Sequence, residues 1–149
     1  MPHVNISKTH PEAYKAMLAL SQAVHAASAG AELEPRLIEL VKIRASQLNG
    51  CAFCLRMHTR DAIKAGETAD RLAVLAAWWE SQYFTDAERA ALQLAEDVTL
   101  QSDSGRLPDR GIDPAAFLDE AQISAIVWLV VEINAWNRIA VASHYPVAP

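Results

Sequence analysis

Apolar residues recur at every third or fourth position along most of the chain, with polar residues between them. This spacing places the apolar side chains on one face of a helix, and no stretch alternates with the period of two typical of a strand. Alanine is frequent and glycine is scarce, at 5 residues, which also favours helix. We therefore predict an all-α fold of about six to seven helices in one compact domain over residues 1–149. The predicted helices cover 11–28, 35–49, 51–65, 68–80, 85–100 and 120–143.

Local signals mark where several of these helices begin and end. Thr85 with Glu88, and Asp119 with Gln122, have the spacing of capping boxes, so a helix is expected to start at each pair. Residues 102–112 contain Gly and Pro and are predicted to form a loop, followed by a short helical turn from Asp113-Pro114.

The last predicted helix contains a continuously apolar run, Ala125–Val131. The run is too short to cross a bilayer, and Glu132 and Asn134 interrupt the sequence that follows it. A helix that is apolar on all sides is normally buried. We expect this one to be covered either by its own domain or by another subunit.

Composition and charge narrow the functional classes. The chain has 149 residues, of which 52% are apolar and 21% charged, as in ordinary globular proteins. A net charge of −5 argues against nucleic acid and against a polybasic membrane contact. The first residues lack the features of a signal peptide, so a cytoplasmic location is expected. Two cysteines are too few for a disulfide scaffold, and in such a chain a Cys-x-x-Cys pair is more often catalytic or metal-binding.

Both cysteines lie in one short stretch with a histidine. Cys51, Cys54 and His58 are three and four residues apart, a spacing that stacks their side chains on one helix face. Asn49-Gly50 predicts the end of the preceding helix, so both cysteines are expected in the first turn of the next one, facing the protein interior. The free N–H groups and the dipole of that turn favour a thiolate.

These residues predict redox chemistry at the dithiol. His58 can take a proton from Cys54 directly or through one water, and Glu39 on the preceding helix can orient the imidazole. Because general-base help is typically worth about 10²–10⁴-fold, against about 1 kcal/mol from the helix dipole, we predict that Cys54 attacks and Cys51 resolves. Attack on a peroxide would give a sulfenic acid and then a Cys51–Cys54 disulfide, which an external dithiol must reopen. No cofactor or metal is expected.

The same residues carry a resemblance to a known family. Glu39, the Cys51-x-x-Cys54-x-x-x-His58 motif within Ile43–Cys54, and the later stretch Ile133–Ala140 (Ile-Asn-Ala-Trp-Asn-Arg-Ile-Ala) are similar to the carboxymuconolactone decarboxylase-like family. More narrowly, they resemble its alkylhydroperoxidase D branch. With the region 78–96, the similarity covers most of residues 15–142.

The resemblance implies an all-α homo-trimer or homo-hexamer with thiol-dependent peroxidase activity. Its substrate would be a hydroperoxide, and its reductant an external dithiol of the thioredoxin or lipoyl type. In that family the second cysteine attacks, the first resolves, and the His and Glu relay the proton, which maps onto Cys54, Cys51, His58 and Glu39. Some family peroxidases have a second His between the cysteines, where this chain has Phe53. The decarboxylase branch lacks the cysteine pair, so lactone decarboxylation is disfavoured.

Two other functions fit the same residues. The domain could be a non-catalytic oligomeric module whose dithiol only senses oxidation. Alternatively, Cys51, Cys54, His58 and Glu39 could bind zinc, although structural zinc usually takes paired ligands from two separate segments.

Overall fold

The computed structural model describes residues 3–149, and over these residues the fold is all-α, as predicted. Three short 3₁₀ helices lie between the α-helices, at Leu75–Glu80, Gln101–Asp103 and Pro114–Ala116. The α-helices are α1 (Ile6–Thr9), α2 (Pro11–Gly30), α3 (Pro35–Asn49), α4 (Ala52–Lys64), α5 (Ala69–Val74), α6 (Asp86–Thr99) and α7 (Glu120–Ser143).

Helix α3 lies at the centre of the fold and packs against α4, α6 and α7. Leu40 and Val41, in its middle, are fully buried. Helix α7 also contacts α2 and α6, so its side chains Ile126 and Val130 join Val41 in the main hydrophobic core. Because α3 packs directly beside α4, side chains of these two consecutive helices come into contact.

The two predicted capping boxes are present. The Thr85 side chain accepts a hydrogen bond from the Glu88 backbone N–H, while the Glu88 carboxylate accepts from the Thr85 N–H. Asp119 and Gln122 form the same reciprocal pair at the start of α7. These local signals therefore predict the starts of α6 and α7 correctly.

The helix predicted over 68–80 is interrupted. Helix α5 ends at Val74 and a 3₁₀ segment follows, with Ala77 outside helical geometry at φ −125° and ψ 36°. The adjacent Trp78 is fully buried and donates its indole N–H to Glu96 Oε1 at 2.8 Å. Tertiary burial of this large side chain thus overrides the local preference for a continuous helix.

By length and composition alone, α7 could cross a membrane, but 44% of its most apolar 18-residue window is buried inside the protein. The core helix of a soluble protein passes the same test. The packing of α7 against α2, α3 and α6 accounts for much of its apolar character. Its outer face keeps Trp128 half exposed, at 50%, and Val131 exposed at 41%.

Candidate active site

The dithiol lies at the turn between α3 and α4. Gly50, with φ +66°, ends α3 in the left-handed conformation, as the Asn-Gly pair predicts. Helix α4 then begins at Ala52, one residue later than expected, and Cys51 is its N-cap rather than part of its first turn. The backbone N–H of Cys54 donates to Cys51 Sγ at 3.3 Å. The Cys51 sulfur therefore takes the place of the usual capping oxygen.

Both sulfurs face the interior, as the helical spacing predicts. Cys51 is 1% exposed and Cys54 is 2% exposed, and both are free thiols. They pack with Ala45 of α3 and with Ile133 and Ala140 of α7. The dithiol is thus enclosed by three helices.

This enclosure changes the acidity expected for Cys54. Burial, followed by hydrogen bonding to Cys51, raises the pKa of Cys54 from 9.0 to about 12. Hydrogen bonding by the Asn137 side chain lowers the pKa, and the backbone N–H at the helix start lowers it least. The expectation that the helix N-terminus holds a thiolate is therefore wrong for the resting site, because desolvation outweighs the dipole.

The imidazole and the carboxylate predicted to work together are in contact. His58 Nδ1 lies 2.8 Å from Glu39 Oε2, between α4 and α3. The His58 side chain is 8% exposed and that of Glu39 is 15% exposed. Because a carboxylate accepts, Nδ1 carries the hydrogen and the lone pair of the neutral ring lies on Nε2. The pair is therefore set up for Nε2 to act as a base.

The structure also brings an unpredicted acid to this pair. One ligand atom from each of Glu39, His58 and Asp61 lies within 4.8 Å of the others. Among residues 3–149, these three residues, rather than a set with the cysteines, are the ones that could hold a metal ion. Asp61 is three residues after His58 on α4, so helical spacing would have indicated it.

Asn137 is a second site residue that sequence reasoning did not assign. It lies on α7, is 1% exposed, and donates its side-chain N–H to Ser46 Oγ at 2.9 Å. The Asn-Ala-Trp-Asn-Arg stretch contributed only to the family resemblance, since nothing local indicates that α7 reaches the dithiol.

A small cleft of about 170 Å³ opens beside Cys51. Phe53 and Tyr145 form part of its wall and stack edge to face, with ring centroids 5.1 Å apart. Val141 and Val147 also line it, so the cleft is largely apolar. Phe53 can exchange no proton, which leaves His58 as the imidazole on α4.

Comparison with known proteins identifies the family. The model of the carboxymuconolactone decarboxylase family matches residues 11–97, which include the entire Glu39, Cys51, Cys54 and His58 set. The chain belongs to the carboxymuconolactone decarboxylase family. Two curated bacterial relatives, both uncharacterized, are similar to this family member. YdfG of Bacillus subtilis is 48% identical over 105 residues, covering 70% of this chain and 71% of its own. YnjA of Escherichia coli is 34% identical over 68 residues, covering 46% of this chain and 37% of its own.

A solved structure places the chain more narrowly within the family. The crystal structure of a protein of unknown function from Agrobacterium tumefaciens, described as a candidate antioxidant defence protein AhpD, is 35% identical to this chain. The match covers 99% of this chain and 100% of that one, with a TM-score of 0.85. The family and this likeness confirm the AhpD-like branch and the AhpD-like fold.

Proposed function

We propose that this family member is a cytoplasmic dithiol oxidoreductase that reduces hydroperoxides through a Cys51–Cys54 disulfide. The observation that carries the proposal is the 2.8 Å contact between His58 Nδ1 and Glu39 Oε2, one helical turn from Cys54. The description of the Agrobacterium tumefaciens relative as a candidate antioxidant protein supports the same role.

In the first step, Cys54 attacks the peroxide. His58 Nε2 takes the thiol proton, and the sulfur then bonds to the terminal peroxide oxygen as the O–O bond breaks. Cys54 becomes a sulfenic acid, and the departing alkoxide takes the proton from His58 and leaves as an alcohol. Among residues 3–149, no hydrogen bond joins His58 to either sulfur, so a water or a small side-chain shift would complete the path.

In the second step, the Cys51 sulfur attacks the sulfur of the Cys54 sulfenic acid. The S–S bond forms, the S–O bond breaks, and the hydroxide leaves as water with the proton of Cys51. The two residues are already in contact, since Cys54 N donates to Cys51 Sγ at 3.3 Å. An external dithiol of the thioredoxin or lipoyl type then supplies two electrons and two protons, and is itself oxidised to a disulfide.

The high pKa of Cys54 explains why this chemistry requires a base. With a pKa of about 12, only about one Cys54 thiol in 10⁵ is ionised at pH 7. Proton removal by His58 during the attack avoids dependence on that small fraction. Glu39 would stabilise the imidazolium that results.

We also propose that the protein works as a homo-trimer or homo-hexamer. Support comes from the apolar side chains left exposed on the outer face of the core helix α7, Trp128 at 50% and Val131 at 41%. Leu18 of α2, the neighbour of α7, is 43% exposed. Large apolar side chains left exposed on neighbouring helices are typical of a subunit interface.

A redox sensor is the second candidate, favoured by one observation. Among the described residues, no hydrogen bond joins the proposed base His58 to either sulfur, and a dithiol without base assistance would turn over slowly. A sensor would be oxidised once and then stop.

Steady-state peroxide consumption with excess dithiothreitol tests the proposal. The wild-type protein should turn over many times, and Cys51→Ser and Cys54→Ser should each abolish turnover. Asp61→Asn is the matched control, since this acid lies beside the pair but has no part in the relay. Normal turnover by the double serine variant would exclude the proposal, and a single stoichiometric oxidation would identify the sensor.

A further inference from the structure

A chain of side-chain amides leads from α7 to the dithiol. It begins at Asn134, passes through Asn49 at the end of α3, and reaches Asn137 beside the cysteines. Both Asn137 and its partner Ser46 are buried, at 1% and 0% exposure. The proposed mechanism does not use these residues, yet buried amides are costly unless fully hydrogen-bonded.

The donor and acceptor roles along this series of amides are fixed at Asn134 by two neighbouring groups. One of them can only accept a hydrogen bond, and the other can only donate. Asn134 Nδ2 donates to the backbone carbonyl of Val130 at 2.9 Å, and a carbonyl can only accept. Arg138 Nη1 donates to Asn134 Oδ1 at 3.0 Å, and a guanidinium can only donate. Asn134 therefore turns its oxygen, not its nitrogen, toward Asn49.

The orientation of the Asn134 amide determines the orientations of the Asn49 and Asn137 amides. Asn49 must present its NH₂ group to Asn134 Oδ1, at 2.9 Å, and the same nitrogen donates to Asn137 Oδ1 at 2.9 Å. The oxygen of Asn137 is thus occupied by Asn49, and its NH₂ group points the other way. One N–H goes to Ser46 Oγ at 2.9 Å.

The second N–H of Asn137 remains for the sulfur of Cys54. Ile133 and Ala140, on the same face of α7 as Asn137, pack against Cys51 and Cys54, so this face meets the dithiol directly. Hydrogen bonding by the Asn137 side chain also lowers the pKa of Cys54, the effect expected of a donor to the thiolate and not of an acceptor.

We infer that Asn137 is a catalytic residue whose amide N–H donates to the Cys54 sulfur and stabilises its thiolate, and that Asn49 and Asn134 are positioning residues that hold this amide in the donating orientation. The inference rests on the proposed function for its role in turnover, but the hydrogen bond itself can be measured without peroxide.

The test is the rate at which iodoacetamide alkylates Cys54, measured against pH in a Cys51→Ser background. A hydrogen bond to a charged group is worth about ten- to a hundredfold in the ionisation equilibrium. Asn137→Leu, which keeps the number and branching of the side-chain heavy atoms but has no donor, should slow alkylation by this factor at a fixed pH. Gln93→Leu is the matched control, because Gln93 is also a buried amide, 6% exposed, but donates to Asp97 on α6.

The choice of variants excludes other titratable groups near Cys54 as the cause of a difference in alkylation rate. Cys51 is absent from the background, and His58 with Glu39 and Tyr145 are unchanged in every variant compared. A tyrosine or histidine titration would therefore alter all the pH profiles alike. Only a change at Asn137 itself would separate the variant from its control.

Two further variants keep the inference testable if Asn137→Leu does not fold. Asn137→Asp has the same shape but puts a carboxylate beside the thiolate, so alkylation should slow further. Asn49→Asp has no N–H to give to Asn137 Oδ1 and should slow alkylation less than either.

Rates equal to those of the Gln93→Leu control would overturn the inference. If wild-type protein still reduces peroxide in that case, the proposed function stands. If the Asn137 variants slow alkylation but wild-type protein reduces no peroxide, the donor stands and the proposed function fails.

Discussion

The contact between Glu39 and His58 makes a prediction whose size can be worked out. Glu39→Gln keeps the shape of the side chain and can still accept from Nδ1, but it removes the negative charge 2.8 Å from the ring. A hydrogen bond to a charged group contributes about 1.5–3 kcal/mol, and a neutral one about 1 kcal/mol. We therefore expect a loss of about 0.5–2 kcal/mol of transition-state stabilisation, or about 2- to 30-fold in kcat/KM.

Removal of the base itself should have a larger effect. His58→Gln removes the imidazole that we propose takes the Cys54 proton, and general-base catalysis is typically worth about 10²–10⁴-fold. The assay is initial-rate peroxide consumption under excess dithiothreitol, with kcat and KM determined separately. The effect should appear mainly in kcat, because neither residue is proposed to bind the peroxide.

The sizes of the Glu39→Gln and His58→Gln effects on turnover test the proposed proton relay. If Glu39→Gln and His58→Gln both stay within twofold of wild type, the relay has no part in turnover. Asp61→Asn should stay close to wild type. If it is as damaging as His58→Gln, and metal analysis finds a bound divalent ion, the three residues hold a metal instead of relaying a proton.

Three further predictions follow from the burial of Cys54 and from the exposure of Trp128. Because the pKa of Cys54 is raised to about 12 and only the thiolate reacts, its alkylation rate should rise about tenfold per pH unit from pH 7 to 11, while a levelling near pH 9 would show an unburied thiol. The same raised pKa means that the unfolded chain loses this proton first, so the free energy of unfolding should fall as pH rises from about 9 toward 12, and Cys54→Ser should reduce that fall. If the proposed homo-oligomer forms through the exposed face of α7, Trp128→Glu places a charge on that face and should give a smaller species in light scattering, while a monomeric wild type would contradict this.

The sequence by itself determined what depends on neighbours along the chain. The period of the apolar residues predicted the helices, and the capping pairs at Thr85 and Asp119 predicted where two of them begin, because a helix end is closed by residues within one turn. The inward face shared by Cys54 and His58 also followed from helical spacing alone.

Only the tertiary structure decided the properties that depend on all surrounding atoms. The pKa of Cys54 is set mainly by burial beneath α7, which outweighs the local helix start that sequence reasoning could see. Asn137 reaches the dithiol from 83 positions further along the chain, the difference between 137 and 54, and the break at Ala77 follows from burying Trp78 against Glu96. Desolvation and packing sum over contacts between distant segments, and no local pattern in the chain records which segments will meet.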